Sequence, residues 1–389
     1  MTALVILLRI VLALPVFFWI LAIVSTWSTS RKGTWVLKAT TPLAAPPKRP
    51  RVSVLIPARN EERNLQACLD SVRALDWPDL EILLIDDRST DGTPRIAADA
   101  ASADPRVRVL GGSDLPPGWM GKSWALHQAQ AQATGEWLLF LDADVTVDPR
   151  ALKQTWDWAV ANGARMVSGY GFLVLATFWE KVIMPVIGGM IVGANPLDEV
   201  NDPDHERVVC NGQFILISRE AYGAIGGHEA VKGEIIDDMA LARTAKEKRI
   251  AYRMLFCREL FRTRMYTSFR EIWAGWRKNL FAALGYRWQV AIGVVIFVMW
   301  TALLPVVAMF ALILHRGPSF VLAAVATSLM LGYRIYASRI FDQPWGLFWT
   351  HPLGALITAG IFLESAFRGL TRGTVEWKGR AYGASGPLR

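Results

Sequence analysis

Apolar residues in this chain come in two textures, long unbroken stretches at its ends and short punctuated runs in its middle. Residues 2–24 are almost wholly apolar with one arginine, Arg9. That is enough to cross a bilayer, which takes about 20 residues as a helix. No convincing small-residue cleavage site follows, and the stretch exceeds the usual signal-peptide core of about 7–15 residues. We expect an uncleaved anchor, with a signal peptide as the alternative. Three further apolar stretches, 290–314, 320–336 and 347–367, lie towards the C-terminus. The divisions expected are an anchor over 1–27, a linker rich in Pro, Ala and Thr within 28–50, a domain over 51–287, transmembrane or re-entrant helices over 288–368, and a basic tail over 369–389.

Within the middle region the runs alternate in kind. Val52 to Ile56 reads as a strand stopped by Pro57, and Asn60 is placed to cap a helix with Glu61 and Glu62 in its first turn. That helix shows Leu65, Cys68, Leu69 and Val72 on one face. A second strand over 80–85 ends at Asp86 and Asp87, and a helix begins after Ser89. A short strand over 107–110, a helix over 124–133 and a strand over 136–141 come next. Such alternation predicts βαβ units and a mostly parallel sheet. Ligands on these sheets bind beyond the carboxyl ends of the strands, where residues 57–61, 86–91 and 142–144 would converge. Between 169 and 196 the chain turns apolar again, broken by Glu180 and Lys181, with Pro185, Gly188 and Gly189 unsuited to an ordinary buried helix. Interfacial helices or an apolar acceptor groove are expected there, with an internal hydrophobic hairpin as the alternative.

Composition agrees with one domain plus membrane segments: 52% of the 389 residues are hydrophobic and 17 are Trp. The formal charge of +8 carries no nucleic-acid signature, because much of it flanks the apolar stretches: Arg31, Lys32, Lys48, Arg49 and Arg51 after the first, Arg277, Lys278 and Arg287 before the second. Positive flanks stay cytoplasmic, so the domain should face the cytosol, in an inner membrane if the source is bacterial. The same residues would attract anionic lipid heads. A basic tail after three later spans would lie outside, against that rule; 347–367, interrupted by His351, Pro352 and Glu364, is therefore expected to be re-entrant, with Trp377-Lys-Gly-Arg folding back towards the domain. Cys68, Cys210 and Cys257 lack metal-ligand spacing and the five His are dispersed, which argues against zinc.

The sharpest candidate chemistry is Asp142-Ala143-Asp144, closing an apolar strand. Residues two apart on a strand share a face, so both acids reach one spot unless the chain turns there. Such a pair suits a hard divalent cation, Mg2+ or Mn2+, which in turn suits a diphosphate. Asp237 and Asp238 are adjacent acids, a source of a raised pKa, or else the start of a helix.

Together these motifs resemble family 2 glycosyltransferases. Residues 54–62 (Val54-Leu-Ile-Pro-Ala-Arg-Asn-Glu-Glu), 85–93 (Ile85-Asp-Asp-Arg-Ser-Thr-Asp-Gly-Thr) and 141–144 look like the nucleotide-sugar half, and 211–217 and 236–241 like the acceptor half. The terminal spans, Gly118-Trp-Met-Gly-Lys-Ser-Trp-Ala and Trp377-Lys-Gly-Arg are similar to membrane-bound hopanoid-associated and carotenoid glycosyltransferases, and more distantly to ceramide glucosyltransferases. The resemblance implies an α/β fold of GT-A type, a Rossmann-like mostly parallel sheet, with an N-terminal anchor and C-terminal transmembrane helices. It implies inverting transfer of one sugar from a nucleotide-diphosphate donor, UDP favoured, to a hopanoid, carotenoid or other lipid at the bilayer. Pro57, Asn60, Glu61, Asp86 and Asp87 then match donor-binding positions. Lys122, in a Gly-rich loop, reaches a phosphate or the base, or else is solvated; Asp91 is either a donor contact or a cap. Asp144 is the metal ligand, with Asp142 beside it or on the ribose. Asp238 is the general base, standing where the family has Glu, and Asp237 orients the acceptor. Trp273 and Trp276 line the acceptor path and Arg277 clamps the diphosphate, or all three anchor the membrane interface; His228 lines the acceptor pocket or is structural. The segment 270–279 departs from the Gln/Arg-x-x-Arg-Trp order of processive polysaccharide synthases, which weighs against polymer synthesis. Acids present at every position weigh against an inactive membrane scaffold, and acids in both halves weigh against a nucleotidyltransferase.

Overall fold

The computed structural model describes residues 2–44, 48–371, 374–377 and 380–383. A seven-stranded sheet, ordered β3-β2-β1-β4-β8-β6-β9, forms the centre. Its strands are β1 (Val52–Ala58), β2 (Leu80–Asp86), β3 (Val107–Gly111), β4 (Trp137–Leu141), β6 (Met166–Tyr170), β8 (Phe214–Ser218) and β9 (Tyr252–Phe256). β1 to β4 are mutually parallel, and β8 runs antiparallel to both β4 and β6. A small sheet of β5 (Val145–Val147), β10 (Phe261–Thr263) and β7 (Phe172–Leu173) stands beside it. A hairpin of β11 (Thr374–Trp377) and β12 (Arg380–Gly383) comes last. Of the Trp377-Lys-Gly-Arg motif, Lys378 and Gly379 lie outside the described residues.

The unbroken apolar runs have a simple cause: both sheet faces are covered. Val54 and Ile56 of β1, with Ile82 and Leu84 of β2, pack under α2 (Leu65–Arg73), α3 (Thr93–Ala103) and α5 (Ala151–Ala161). Leu55, Leu83 and Ile85 point the other way, beneath α4 (Gly121–Gln132), α8 (Arg219–Ala224) and α10 (Asp237–Glu247). Short helices α7 (Leu197–Val200) and α9 (Gly227–Ala230) complete this layer. Two boundaries differ from the sequence reading. β1 runs through Pro57 to Ala58, and α2 begins at Leu65 rather than after Asn60. Asn60 takes a left-handed backbone, φ 53°, a conformation Asn tolerates better than most residues.

Outside the domain lie α1 (Thr2–Lys32), α6 (Phe178–Ala194), α11 (Phe269–Ala283), α12 (Trp288–Val298), α13 (Leu304–Ala311), α14 (Pro318–Ile340) and α15 (His351–Thr371). A π-helical turn, Met299–Leu303, joins α12 to α13. Among the described residues four helices are long and apolar enough to cross a membrane: 3–32, 288–311, 318–340 and 348–371. Pro185 does not spoil α6, which passes through it unbroken. Glu180 is no interruption either: it completes a capping box with Thr177 and pairs with Arg264 at 3.0 Å.

A proline inside a helix deprives the carbonyl four residues earlier of its donor. Here three such carbonyls find donors on other helices. Pro185 frees the Lys181 carbonyl, which accepts from Arg334 Nη2 of α14 at 2.8 Å. Pro15 frees that of Val11, which accepts from Trp300 Nε1 at 2.9 Å. Pro305 frees that of Thr301, which accepts from Trp19 Nε1 at 3.0 Å. α1 and the π-helical turn therefore satisfy each other reciprocally.

The course of α15 bears on the re-entrant expectation. α14 ends against the domain, where Asp342 pairs with Arg258 at 2.7 Å and Phe341 meets Phe256. The chain then descends to His351, which packs on Trp19 midway along α1. From there α15 climbs back to α11, so tightly that a Cβ on Gly369 would overlap the Phe281 ring. Both ends of this excursion thus lie on the domain side. Some of the basic flank has a different use. Arg49 makes two bonds to Asp157, at 2.9 and 3.0 Å, between the rings of Trp77 and Trp156, and pins the linker to the domain. Arg51 lies 3.6 Å from Glu81 and 3.8 Å from Asp79.

Candidate active site

Strand direction decides what meets at the sheet edge. The carboxyl ends of the parallel strands β1, β2 and β4 share one edge, and the amino end of β8 joins them because Leu141 pairs with Phe214. Pro57–Glu61, Asp86, Asp87, Asp142, Asp144 and the Asn211–Gln213 turn therefore lie along a single rim, and α10 adds Asp237 and Asp238.

The loops after β1 and β2 are laced to each other. Asn60 N donates to Ser89 Oγ at 3.0 Å, and its Oδ1 accepts from Thr90 N at 2.8 Å. Glu61 N donates to Thr93 Oγ1 at 2.8 Å, while Arg59 Nη1 donates to the Asp87 carbonyl at 2.6 Å. Asn60 is thus a latch between loops and not a helix cap. Asp86 Oδ1 accepts from Ser89 N at 3.2 Å, and Asp87 is 5% exposed at the end of β2. Asp91 is structural: its Oδ1 accepts from Thr93 N at 3.0 Å and its Oδ2 from Glu62 N at 3.2 Å.

The condition attached to the Asp142–Asp144 reading matters, because the chain does turn after β4: Val145 N donates to the Asp142 carbonyl at 3.1 Å. The two acids are consequently not a simple same-face pair. Asp142 holds Lys122 Nζ at 2.6 Å. Burial pushes the Cys68 thiol far up, and Asp144, Asp142 and Glu61 push it further, so these three acids lie within electrostatic range of one buried thiol. Asp144 also raises the buried Tyr266 hydroxyl, after burial itself.

Lys122 ties this cluster to the second half. Burial alone would lower its ammonium, but Asp142, Asp237 and Asp238 outweigh that and hold it protonated. A Cβ on Gly212 would stand 3.1 Å from Asp238 Oδ2 and 3.2 Å from Lys122 Nζ, so the missing side chain lets lysine and aspartate approach. Gly212 N donates to Asp238 Oδ2 at 2.6 Å and Met239 N to Asp238 Oδ1 at 2.8 Å. These donors favour the ionised form, yet burial and the neighbouring Asp237 win, and the Asp238 carboxyl is raised well above the ordinary range. Asp237, 9% exposed, accepts from Ser123 Oγ at 3.4 Å and from Asp238 N at 3.1 Å.

The downstream candidates sit elsewhere. Arg277 turns to α15 and donates to Glu364 at 3.1 Å, because that acid is the anionic partner within its reach. Trp273 Nε1 donates to the same carboxylate at 2.5 Å, and Trp276 Nε1 to Met184 Sδ at 3.2 Å. His228 does not line the cleft. It is 2% exposed, with Nδ1 2.8 Å from the Tyr222 hydroxyl, and burial lowers its pKa to about 4. The sequence reading missed Lys278 as a site residue and gave Gly212 no role. Burial lowers the Lys278 ammonium to about 8 against the pull of Asp237, Asp238 and Asp142, with Lys122 lowering it further, so this side chain lies within electrostatic range of the acidic cluster.

Among the described residues no group of three or more His, Cys, Asp or Glu side chains could enclose a metal ion. In donor chemistry the carboxylates of Asp142 and Asp144 suit a Mg2+ or Mn2+ ion, which would take its remaining oxygens from water and a diphosphate.

The chain is similar to known glycosyltransferases in sequence and in fold. Residues 53–223 match the Glycosyl transferase family 2 profile. A 4,4'-diaponeurosporenoate glycosyltransferase of Staphylococcus aureus is 26% identical over 341 residues, covering 86% of this chain and 88% of that protein. In structure the chain is similar to a mannosyltransferase from Pyrobaculum calidifontis, solved in complex with GDP-Man and Mn2+. Their TM-score is 0.54 at 19% identity, covering 94% of this chain and 99% of that one. The shared architecture is that of GT-A glycosyltransferases.

Proposed function

We propose that this chain, a family 2 glycosyltransferase, moves one sugar from a nucleoside-diphosphate donor to a lipid-like acceptor at a membrane surface, with inversion at the anomeric carbon. The observation that carries this reading is the bridge Asp142–Lys122–Gly212–Asp238, which brings a candidate diphosphate site and a candidate base together at one rim. The loops at Pro57, Asn60, Glu61, Asp86 and Asp87 hold the nucleotide, whose hydroxyls and imide suit carboxylate acceptors.

Asp144 and Asp142 would hold a divalent cation, Mg2+ or Mn2+, which when bound offsets the charge developing on the diphosphate. Lys122 adds a fixed positive charge beside Asp142. Asp238 takes the proton of the acceptor hydroxyl as its oxygen bonds the anomeric carbon, and the bond from that carbon to the phosphate oxygen breaks in the same displacement. The nucleoside diphosphate departs with the bonding electrons. A raised pKa suits Asp238 to this work, since a base near its working pH both accepts and releases protons. Asp237 fixes the start of α10 and keeps the Asp238 pKa high.

Four apolar helices and the exposed apolar residues Leu353, Leu356, Leu363 and Phe367 of α15 support a lipid acceptor and a membrane location. The return of α15 to the domain side supports a re-entrant segment, with the domain in the cytosol by the positive-inside rule. To test the reading, full-length protein in lipid nanodiscs is screened with UDP- and GDP-sugars for nucleoside-diphosphate release, with and without total membrane lipid extract. Lipid-stimulated release that Asp238→Asn and Asp144→Ala both abolish is expected. Undiminished transfer in both variants rejects the mechanism.

A further inference from the structure

Glu364 is the only acidic residue in α15, a mostly apolar helix. It binds three side chains at once: Trp273 Nε1 at 2.5 Å, Arg277 Nη1 at 3.1 Å and Arg368 Nε at 2.7 Å. Ser365 adds two bonds to the α11 backbone, donating to the Arg277 carbonyl at 2.6 Å and accepting from Phe281 N at 3.1 Å. Close packing holds the same line, for a Cβ on Gly360 would meet Trp273 Cη2 at 3.2 Å. Trp273, Arg277 and Phe281 are four apart and form one face of α11, turned to α15. Lys278 follows Arg277 and lies about 100° further round the helix, on the flank turned away from Trp276, which meets Met184 of α6, and within electrostatic range of Asp142, Asp237 and Asp238. On the opposite flank Gly275 lets α11 press onto Tyr266, whose hydroxyl a Cβ there would overlap. The rotation of α11 about its axis is thereby fixed from both sides.

We propose that Glu364 is a positioning residue: it clamps α11 so that Lys278 faces the part of the cleft that receives the donor's diphosphate. The proposal rests on the transferase reading for the identity of that ligand. It gives the apolar helix α15 a direct hold on the catalytic rim, with the diphosphate charge shared between Lys122 and Lys278. Arg277, the arginine that the sequence suggested for this task, instead serves as part of the clamp.

The test uses the full chain in nanodiscs, with UDP or GDP plus Mn2+ as probes. Acetylation of Lys278 by an amine-directed reagent is followed by peptide mass spectrometry. Nucleoside diphosphate should slow that acetylation several-fold in the wild type and much less in Glu364→Gln. Transfer should fall about tenfold in Glu364→Gln, in keeping with a small displacement of a positioning group. In a Lys278→Met background the same change should cost less than about twofold, the signature of two residues acting as one unit. Trp273→Phe, which removes one clamp bond and keeps the packing, should show a weaker form of both effects and serves if Glu364→Gln does not fold. Glu364→Asp should restore part of the protection. Equal protection in wild type and both clamp variants overturns the proposal, as does a full tenfold loss in the Lys278→Met background. Wild-type protein that shows the protection but transfers nothing to lipid overturns the acceptor reading and supports this one.

Discussion

The two banks of the cleft are held in opposite ways. On the bank proposed to hold the nucleotide, the loops after β1 and β2 fasten to each other through main-chain donors and acceptors over separations of 28 to 32 positions, within one βαβ unit. On the bank facing the apolar helices, α11 is fixed by side chains 84 to 91 positions away on α15. The first arrangement forms as its own βαβ unit folds. The second exists only when distant helices have packed, so the domain should bind nucleotide more robustly than it transfers sugar.

Several perturbations sharpen that contrast. The largest effect is expected from Asp238→Asn, which should lower kcat for a hydroxyl acceptor on the order of a thousandfold, the usual weight of a general base. Donor affinity by calorimetry should stay within about twofold, because a general base acts only in the transition state and adds nothing to ground-state donor binding. A carboxylate acceptor, already ionised, should be spared. Next comes Asp144→Ala, with a loss on the order of a hundredfold in nucleotide release; chelation of divalent cations should reduce the wild type similarly and add little to the variant. A pH series ranks third. The raised Asp238 must be ionised to act, so rate is full above its pKa and falls about tenfold per pH unit below it. The fall should begin well above the value of about 3.9 expected for an ordinary aspartate. An acid limb centred near that ordinary value would contradict a desolvated base. Asn60→Ala should be milder, since it removes the latch to Thr90 and places alanine in a left-handed conformation, costing about 1–2 kcal/mol. We expect a several-fold higher donor KM and an unchanged kcat. Asp91→Ala, the smallest, should lower stability by about 1 kcal/mol in denaturant titrations and leave donor KM alone.

The same contrast explains what is legible in the sequence. The strands and their terminal acids are legible because a strand buried on both faces must be a continuous apolar run, and the residues just beyond it must reach solvent. Asn60 resembles a cap because a side-chain oxygen before a helix looks the same whether it accepts from its own helix or from a loop 30 positions on. Lys278 looks like a charge at a membrane flank, because burial by a helix far along the chain leaves no local mark. Glu364 looks like an interruption of an apolar stretch for the same reason. Gly212 carries a readable signal, a glycine in a motif, although the reason for it is an approach between residues from α4 and α10. His228 shows the reverse error. A histidine after two glycines invites a pocket, and Phe140 and Tyr222 enclose it instead.

The proline-freed carbonyls have a consequence for how the helices recognise one another. In hydrocarbon an unmet carbonyl finds no water, so each proline turns a self-contained cylinder into one with a socket that only a matching plug can close. Trp19, Trp300 and Arg334 are those plugs. Replacing Pro15, Pro185 or Pro305 with alanine would mend the individual helix and erase a mating mark, leaving segments that insert readily and find their neighbours less faithfully.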